Sequence, residues 1–336
     1  MKEYLLPENG NFYKANLHSH STVSDGANTP EQMRDYYREH GYSILALTDH
    51  EYLVDHSDLN LPDFLMLTGY EYAFIEKEDY ALSKTVELNL FACDPHNDTQ
   101  VCFDPRYVIH GDKGRLATVK CHGTPDFERE FTLECIQKVI DEANKNGFLV
   151  SLNHPGYSMI TPDFFGKLKG LFSLEIMNQC SFYFANDYSP NMYDTALRMG
   201  NRIGCIAGDD NHCARIYDDK GDPRPWACTV IKCDKLDYAS VINALKNGNY
   251  YVTQGPEITS LYIEDGKIHF SCSDVKTISL HSKDRHWAVR EAPVGEYLNG
   301  AVLDVPDDDY FRIEAVDGYG RHACTRAYFL DGNGKK

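Results

Sequence analysis

Through the first two-thirds of the chain, short apolar runs alternate with stretches of helical spacing, and reactive polar residues stand where the runs end. Thr29-Pro30-Glu31-Gln32 supplies an N-cap, a proline for the first helical position and a glutamine that can close a capping box. Met33, Tyr36 and Tyr37 continue at helical spacing, and Gly41 stops the helix. Ser43–Leu47 follows as a buried strand and leads into Thr48-Asp49-His50. The pattern recurs from Thr132: Ile136, Val139, Ile140 and Ala143 mark a helix, Gly147 ends it, and strand Phe148–Leu152 precedes Asn153-His154. It recurs again with a helix near Tyr193–Met199, a stop at Gly200, and strand Arg202–Ala207 before Asp209-Asp210-Asn211-His212. This is the rhythm of parallel β/α units. In a β/α barrel the residues that do chemistry sit at the C-terminal ends of the strands.

Two regions depart from it. From about residue 72 to 131 the rhythm is lost; the segment holds one strand-like run, Val86–Ala92, and then turn-rich sequence, and it reads as an insertion at the functional face. After helix Tyr238–Asn247, Gly248 and Tyr250–Thr253, the chain changes to short alternating strands separated by turns such as Asp265-Gly266 and Asp317-Gly318. That pattern predicts a small antiparallel β-sandwich. The expected organisation is therefore an α/β domain over residues 1–256 and a β domain over 257–336.

Composition narrows the class. The 336 residues carry a net charge of −18, and their basic residues are dispersed, so no long nucleic-acid partner is expected. No apolar run approaches the length of a membrane span. Eleven cysteines, an odd number with no C-x-x-C pair, predict reduced thiols and a cytoplasmic location.

The candidate chemistry lies in His18-Ser19-His20 with Asp25, in Asp49-His50, Tyr70-Glu71 and Asn153-His154, and in Asp210-Asn211-His212. A single histidine at a strand end is ordinarily a hydrogen-bonded structural residue. Here number and arrangement make the case. Residues two apart in an extended segment face the same way, so His18 with His20, and Asp210 with His212, can each serve one centre. Imidazoles and carboxylates without thiolates suit Mn, Fe or Zn. Asp49 is read as a group that orients His50 or the backbone, and Asp209 as a structural residue or one that supports a ligand. Arg215, Lys120 and Arg129 are candidate phosphate contacts, and Asn178 is a candidate pocket residue. His40, His56, His281, His286 and His322 fall outside the pattern and are read as surface residues.

This ordered set resembles the PHP (polymerase and histidinol phosphatase) family of metal-dependent phosphoesterases over roughly residues 12–255, and the late β region resembles its two-domain members. The resemblance implies a distorted seven-stranded β/α barrel, TIM-like, with two or three divalent metals at its C-terminal face. It implies that His18, His20, Glu71 and Asp210 hold a first metal, and that Glu71 bridges to a second completed by His154. Asp25, His50 and His212 would hold a third. Members of the family usually add a histidine from the strand after the glutamate, but Glu87-Leu88-Asn89-Leu90-Phe91 has none. Glu87, Asn89 or His122 is expected to complete the second position.

Metals of this kind lower the pKa of bound water and neutralise phosphoryl oxygens. The expectation is hydrolysis of a small phosphorylated metabolite or nucleotide, with His212 or Asp25 protonating the leaving group and Arg215 contacting the phosphate. Two alternatives are hydrolysis of a carbonyl substrate, as in amidohydrolases, and a non-catalytic scaffold.

Overall fold

A row of strands surrounds the polar residues picked out above. The computed structural model describes residues 2–77, 79–111, 113–123, 126–180, 188–213, 227–285 and 287–330. Hydrogen-bonded side by side are β1 (Asn11–Asn16), β2 (Ile44–Leu47), β3 (Leu65–Ile75), β4 (Thr85–Ala92), β5 (Phe148–Leu152), β6 (Ser173–Asn178) and β7 (Gly204–Gly208). β1, β2 and β3 are parallel, as are β5, β6 and β7. β4 runs against both of its neighbours. The two ends of the row are tied together just past β7 and β1. Asp210 N–H donates to the His18 carbonyl at 2.8 Å, and His20 N–H donates to the Asn211 carbonyl at 3.0 Å.

The connections follow from local sequence. Helix α1 (Pro30–Glu39) opens on Thr29 with the capping box closed by Gln32, and it buries Met33 and Tyr37. Helix α2 (Leu133–Lys145) is capped by Thr132 and buries Ile136, Val139, Ile140 and Ala143 against the sheet. A single short turn, α3 (Pro162–Phe165), joins β5 to β6. Helix α4 (Pro190–Arg198) joins β6 to β7 and starts earlier than its apolar spacing suggested, because Pro190 fits the first turn.

The segment from residue 72 corrects the expected insertion. β3 runs on to Ile75 and turns back as β4, whose eight residues are all buried. The helical rhythm stops there because an antiparallel pair needs no crossover helix. Irregular chain begins only after Ala92 and includes a short parallel ladder of Thr99–Val101 with Lys120–His122. The architecture is thus mixed α/β, with a mostly parallel central sheet and few helices.

Past β7, β8 (Cys228–Cys233) pairs with β1, helix α5 (Tyr238–Asn247) follows, and β9 (Tyr250–Thr253) pairs with β8. Gly248 ends α5 at φ 71°, and a Cβ there would collide with the Arg326 guanidinium. The later strands are β10 (Ile258–Glu264), β11 (Lys267–Val275), β12 (Thr277–Ser282), β13 (Ala288–Glu291), β14 (Leu298–Asp304), β15 (Tyr310–Val316), β16 (His322–Thr325) and β17 (Tyr328–Phe329). One antiparallel sheet contains β10, β11 and β14, with the Glu3–Tyr4 strand at its edge. The other runs β16, β15, β12, β13 and continues the central sheet through the β9–β16 pair. Leu261, Phe270, Ile278, Phe311 and Ile313 fill the space between the sheets and share a core with Met33, Tyr37, Leu45 and Leu47.

All eleven cysteines are free thiols. Among the described residues, no helix is long and apolar enough to cross a membrane.

Candidate metal centre

Period-two alternation just past β1 aims His18 and His20 into the ring while Ser19 points away and donates to the Ala46 carbonyl at 2.9 Å. The same alternation past β7 aims Asp210 and His212 inward. Asn211 turns outward, where its amide donates to Tyr37 Oη at 3.3 Å. Asp210 adopts φ 51°, a conformation that carboxylate and amide side chains tolerate better than most. His50 lies past β2, beside Glu71 in the middle of the long β3.

Glu71 divides the cluster. Its Oε1 lies 3.2 Å from His18 Nε2 and 3.7 Å from His154 Nε2, while its Oε2 lies 3.4 Å from His20 Nε2 and 3.1 Å from His50 Nδ1. Asn153 Nδ2 donates to Oε1 at 2.6 Å and fixes the carboxylate plane. Asp210 Oδ1 stands 3.0 Å from His20 Nε2 and 3.3 Å from His18 Nε2. Four groupings among the described residues have donor atoms close enough to share an ion: His18, His20, Glu71 and Asp210; Glu71, Glu87 and His154; His20, Asp25, His50 and His212; and His18, His154 and Glu175. Each of the first three contains one of the three sets that the resemblance implied.

The second grouping settles which of three residues stands beside His154. Glu87 Oε2 is 3.1 Å from His154 Nε2. Asn89 instead donates to the Leu17 carbonyl at 3.3 Å. His122 is displaced altogether: its strand pairs with Thr99–Val101, and it faces a separate depression with Asp94, His96 and Asp98. Lys120 is likewise remote and paired with Asp98. Arg129 does reach the central cavity, but its guanidinium is bound to Glu51 through two contacts of 2.6 Å. Arg215 lies outside the described residues.

Sequence reasoning missed Glu175. It is fully buried in β6, with Oε1 3.1 Å from His18 Nδ1, while its Oε2 accepts the His154 backbone N–H at 3.0 Å. Asn178 donates to it at 3.0 Å. The signal was available as a lone carboxylate inside the apolar run of Ser173–Asn178. His110, also missed, approaches Asp25 at 3.8 Å. Of the two roles expected for Asp49, it takes the backbone one, and its carboxylate makes no hydrogen bond with His50. It accepts from the backbone and hydroxyls of Ser21 and Ser24, with distances from 2.7 to 3.2 Å, and so shapes the loop that carries Asp25. His56 is buried rather than superficial, and His322 donates through Nδ1 to the Glu314 carboxylate at 2.6 Å.

The electrostatics are those of a cation site. Burial opposes charge on His18, yet Asp210, Glu175 and Glu71 outweigh it and raise its pKa well above the ordinary value. His154 is raised in the same way, against burial, chiefly through Glu71 and Glu87. Burial also opposes ionisation of Glu71 and Asp210, but the surrounding imidazoles hold both well below the usual carboxylate range. His20 is lowered by burial and by His50 and His212. Asp209 behaves differently: burial pushes it up to about 8, and it accepts from Tyr37 Oη at 3.0 Å.

Whether these residues fit a metal is answered by two ring nitrogens. His18 Nε2 and His20 Nδ1 are buried and make no hydrogen bond. Buried polar atoms are rarely left unpaired. His18 Nε2 nevertheless sits within 3.3 Å of two carboxylates at angles unsuited to hydrogen bonding, as a ligand nitrogen does. The donor set fits.

Comparison with known proteins adds context. No protein-family model matches the chain, and no curated protein matches it. Among solved structures, it is similar to a two-domain protein from Bacteroides vulgatus described as containing a predicted PHP-like metal-dependent phosphoesterase. That likeness has 16% identity and a TM-score of 0.46, and covers 98% of this chain and 90% of the other. A candidate metal-dependent phosphoesterase from Bifidobacterium adolescentis is 17% identical with a TM-score of 0.37, covering 66% of this chain and 91% of its own. An amidohydrolase from Chromobacterium violaceum, with bound sulfate, is 17% identical with a TM-score of 0.39, covering 59% and 87%. Two of the three are thus described as metal-dependent phosphoesterases, and one of those as PHP-like.

Glu175 supports His18 and His154 without lining the cavity. Replacing Glu175 with Gln is expected to weaken Mn²⁺ binding roughly 10- to 100-fold, the usual cost of losing a carboxylate behind a ligating histidine. Calorimetric titration of the metal-free variant measures this; affinity equal to the parent protein would show that Glu175 only packs.

Proposed function

We propose that this chain is a PHP-type metal-dependent phosphoesterase with two ions in its first two groupings and a third held by Asp25, His50 and His212. The ring of strands is read as the family's distorted seven-stranded barrel. The observation that carries the reading is the buried set of His18, His20, Glu71 and Asp210, in which His18 Nε2 has carboxylates at 3.2 and 3.3 Å and no hydrogen bond. Divalent cations held there would activate water and neutralise phosphoryl oxygens.

The protein's own part is positioning. Glu71 offers one oxygen to each side of the cluster, Asn153 fixes its plane, and Glu175 turns His18 so that Nε2 faces inward. His212 Nδ1 donates to the Asp210 carbonyl at 3.0 Å, which leaves Nε2 to ligate beside Asp25. Burial opposes ionisation of Asp25, yet His50, His20, His212 and His110 keep it a carboxylate, so it is assigned to ligation rather than proton donation.

The test is metal analysis together with a phosphate-release screen over phosphomonoesters, phosphodiesters and amides. Stoichiometric metal and phosphate release support the reading. Turnover of amides alone would replace it with amidohydrolase chemistry, and no turnover by a fully metallated protein would leave a scaffold. Binding also has a definite pH dependence. The carboxylates hold protons on His18 and His154 more tightly than on free imidazole, and a cation must displace them. Mn²⁺ affinity therefore rises with pH through neutrality and above, until those rings are deprotonated. Affinity that falls over this range would contradict the ligand assignment.

A further inference from the structure

A cavity of about 650 Å³ opens from the metal centre, with Asp25, His50, Glu71 and Asp210 at its floor. Away from that floor its character changes. Ile75, Tyr80, Ile109 and Tyr157 line it with 41%, 46%, 68% and 37% of their surfaces exposed. These come from three separate stretches: the β3–β4 hairpin, the irregular segment after Ala92, and the turn after β5. Large apolar side chains left open around a concave site, with polar groups converging at one end, mark a ligand surface. Tyr157 also stands edge-on to the metal-facing His154, with ring centroids 5.3 Å apart, so the apolar wall begins directly beside the centre.

Charge along the same wall is already balanced. Among the described residues lining the cavity, the two guanidinium groups are both committed to carboxylates. Arg129 is bound through two contacts to Glu51, and Arg106 reaches Asp104 at 2.8 and 2.5 Å. Glu130 adds a further negative charge to the lining. A ligand's first anionic group would be met by cations at the floor. A second, farther up, would find no unpaired guanidinium among the described lining residues and would face Glu130.

Resting on the phosphoesterase reading, we propose that this cavity takes a phosphomonoester whose leaving group is apolar and planar, an aryl or similar ring, and carries no second anionic group. The ring lies against Ile75, Tyr80, Ile109 and Tyr157. Specificity then comes from burying a hydrophobic face, which contributes in proportion to area, and from repulsion of multiply charged esters.

Non-hydrolysable phosphonates separate this inference from catalysis. The full chain, loaded with Mn²⁺, is titrated calorimetrically with methylphosphonate, phenylphosphonate, 1-naphthylphosphonate and 4-carboxyphenylphosphonate. Phenylphosphonate is expected to bind about tenfold more tightly than methylphosphonate, naphthylphosphonate more tightly again, and the carboxylated ring more weakly than the plain one. Ile109→Ser, a change at an exposed position, is expected to narrow the naphthyl-to-methyl ratio at least about threefold. Equal affinities for methyl and phenyl, a preference for the carboxylated ring, or no phosphonate binding at all would each overturn the proposal. If the ring preference holds while no ester is hydrolysed, the catalytic reading fails and this one stands. If esters are hydrolysed with no gain from the ring, the reverse is true.

Discussion

Asp210→Asn is expected to abolish metal-dependent turnover, lowering kcat/KM by at least about a thousandfold, with the fold retained. The substitution keeps the size and planarity of the side chain. Asparagine also accepts the left-handed backbone that residue 210 adopts at φ 51°, so no new strain is introduced. What disappears is the negative charge facing His18 at 3.3 Å and His20 at 3.0 Å. An amide oxygen is a poorer ligand for a divalent cation than a carboxylate, and the first grouping loses one of its two anions. Metal content by elemental analysis, phosphate release and circular dichroism measured on one preparation check this. A variant that stays metallated and active would show that Asp210 is not a ligand.

The largest effect on stability is expected far from that centre. Arg312 on β15 is almost wholly buried, and it donates to Asp194 on α4 at 2.6 and 2.7 Å and to Glu314 at 3.3 Å. Glu314 also accepts from Tyr188 and lies 2.6 Å from His322 Nδ1. Arg312→Ala leaves the buried Asp194 carboxylate without its cation and takes one partner from Glu314. Breaking a buried pair from one side costs roughly 3–5 kcal/mol. Urea unfolding should show the loss as a lower midpoint with little change in slope. Arg312→Met combined with Asp194→Leu should recover part of it, because the carboxylate left without its partner at Asp194 is then replaced by apolar volume while Glu314 keeps Tyr188 and His322. If the single and double variants prove equally unstable, packing rather than charge governs this junction.

The sequence was most legible where one element explains itself. The cap at Thr29, the apolar stripe of α2 and the stop at Gly248 need only neighbours along the chain, and the structure has each of them. Alternation likewise placed His18 with His20 and Asp210 with His212 on common faces, since side-chain direction in an extended segment is a local property. Strand limits near β7 slipped, from Arg202–Ala207 to Gly204–Gly208, by two residues at one end and one at the other.

Other features depend on pairings between distant segments. The reversal of β4 turned an apparent insertion into part of the ring and aimed Glu87, not Asn89, at His154. Pairing of Lys120–His122 with Thr99–Val101 carried His122 and Lys120 away from the cavity. Arg129 has the charge to bind phosphate, yet folding commits it to Glu51.

By itself, then, the sequence determined which residues could ligate, on which faces they stood, and that hydrolytic metal chemistry was the class to expect. Tertiary structure alone decided that Glu71 divides its two oxygens, that Glu175 stands behind His18 and His154, and that the wall above them is apolar and charge-balanced. The physical reason is that periodicity encodes direction within one strand or helix, whereas distances between side chains are set by strand order and register, which no local pattern contains.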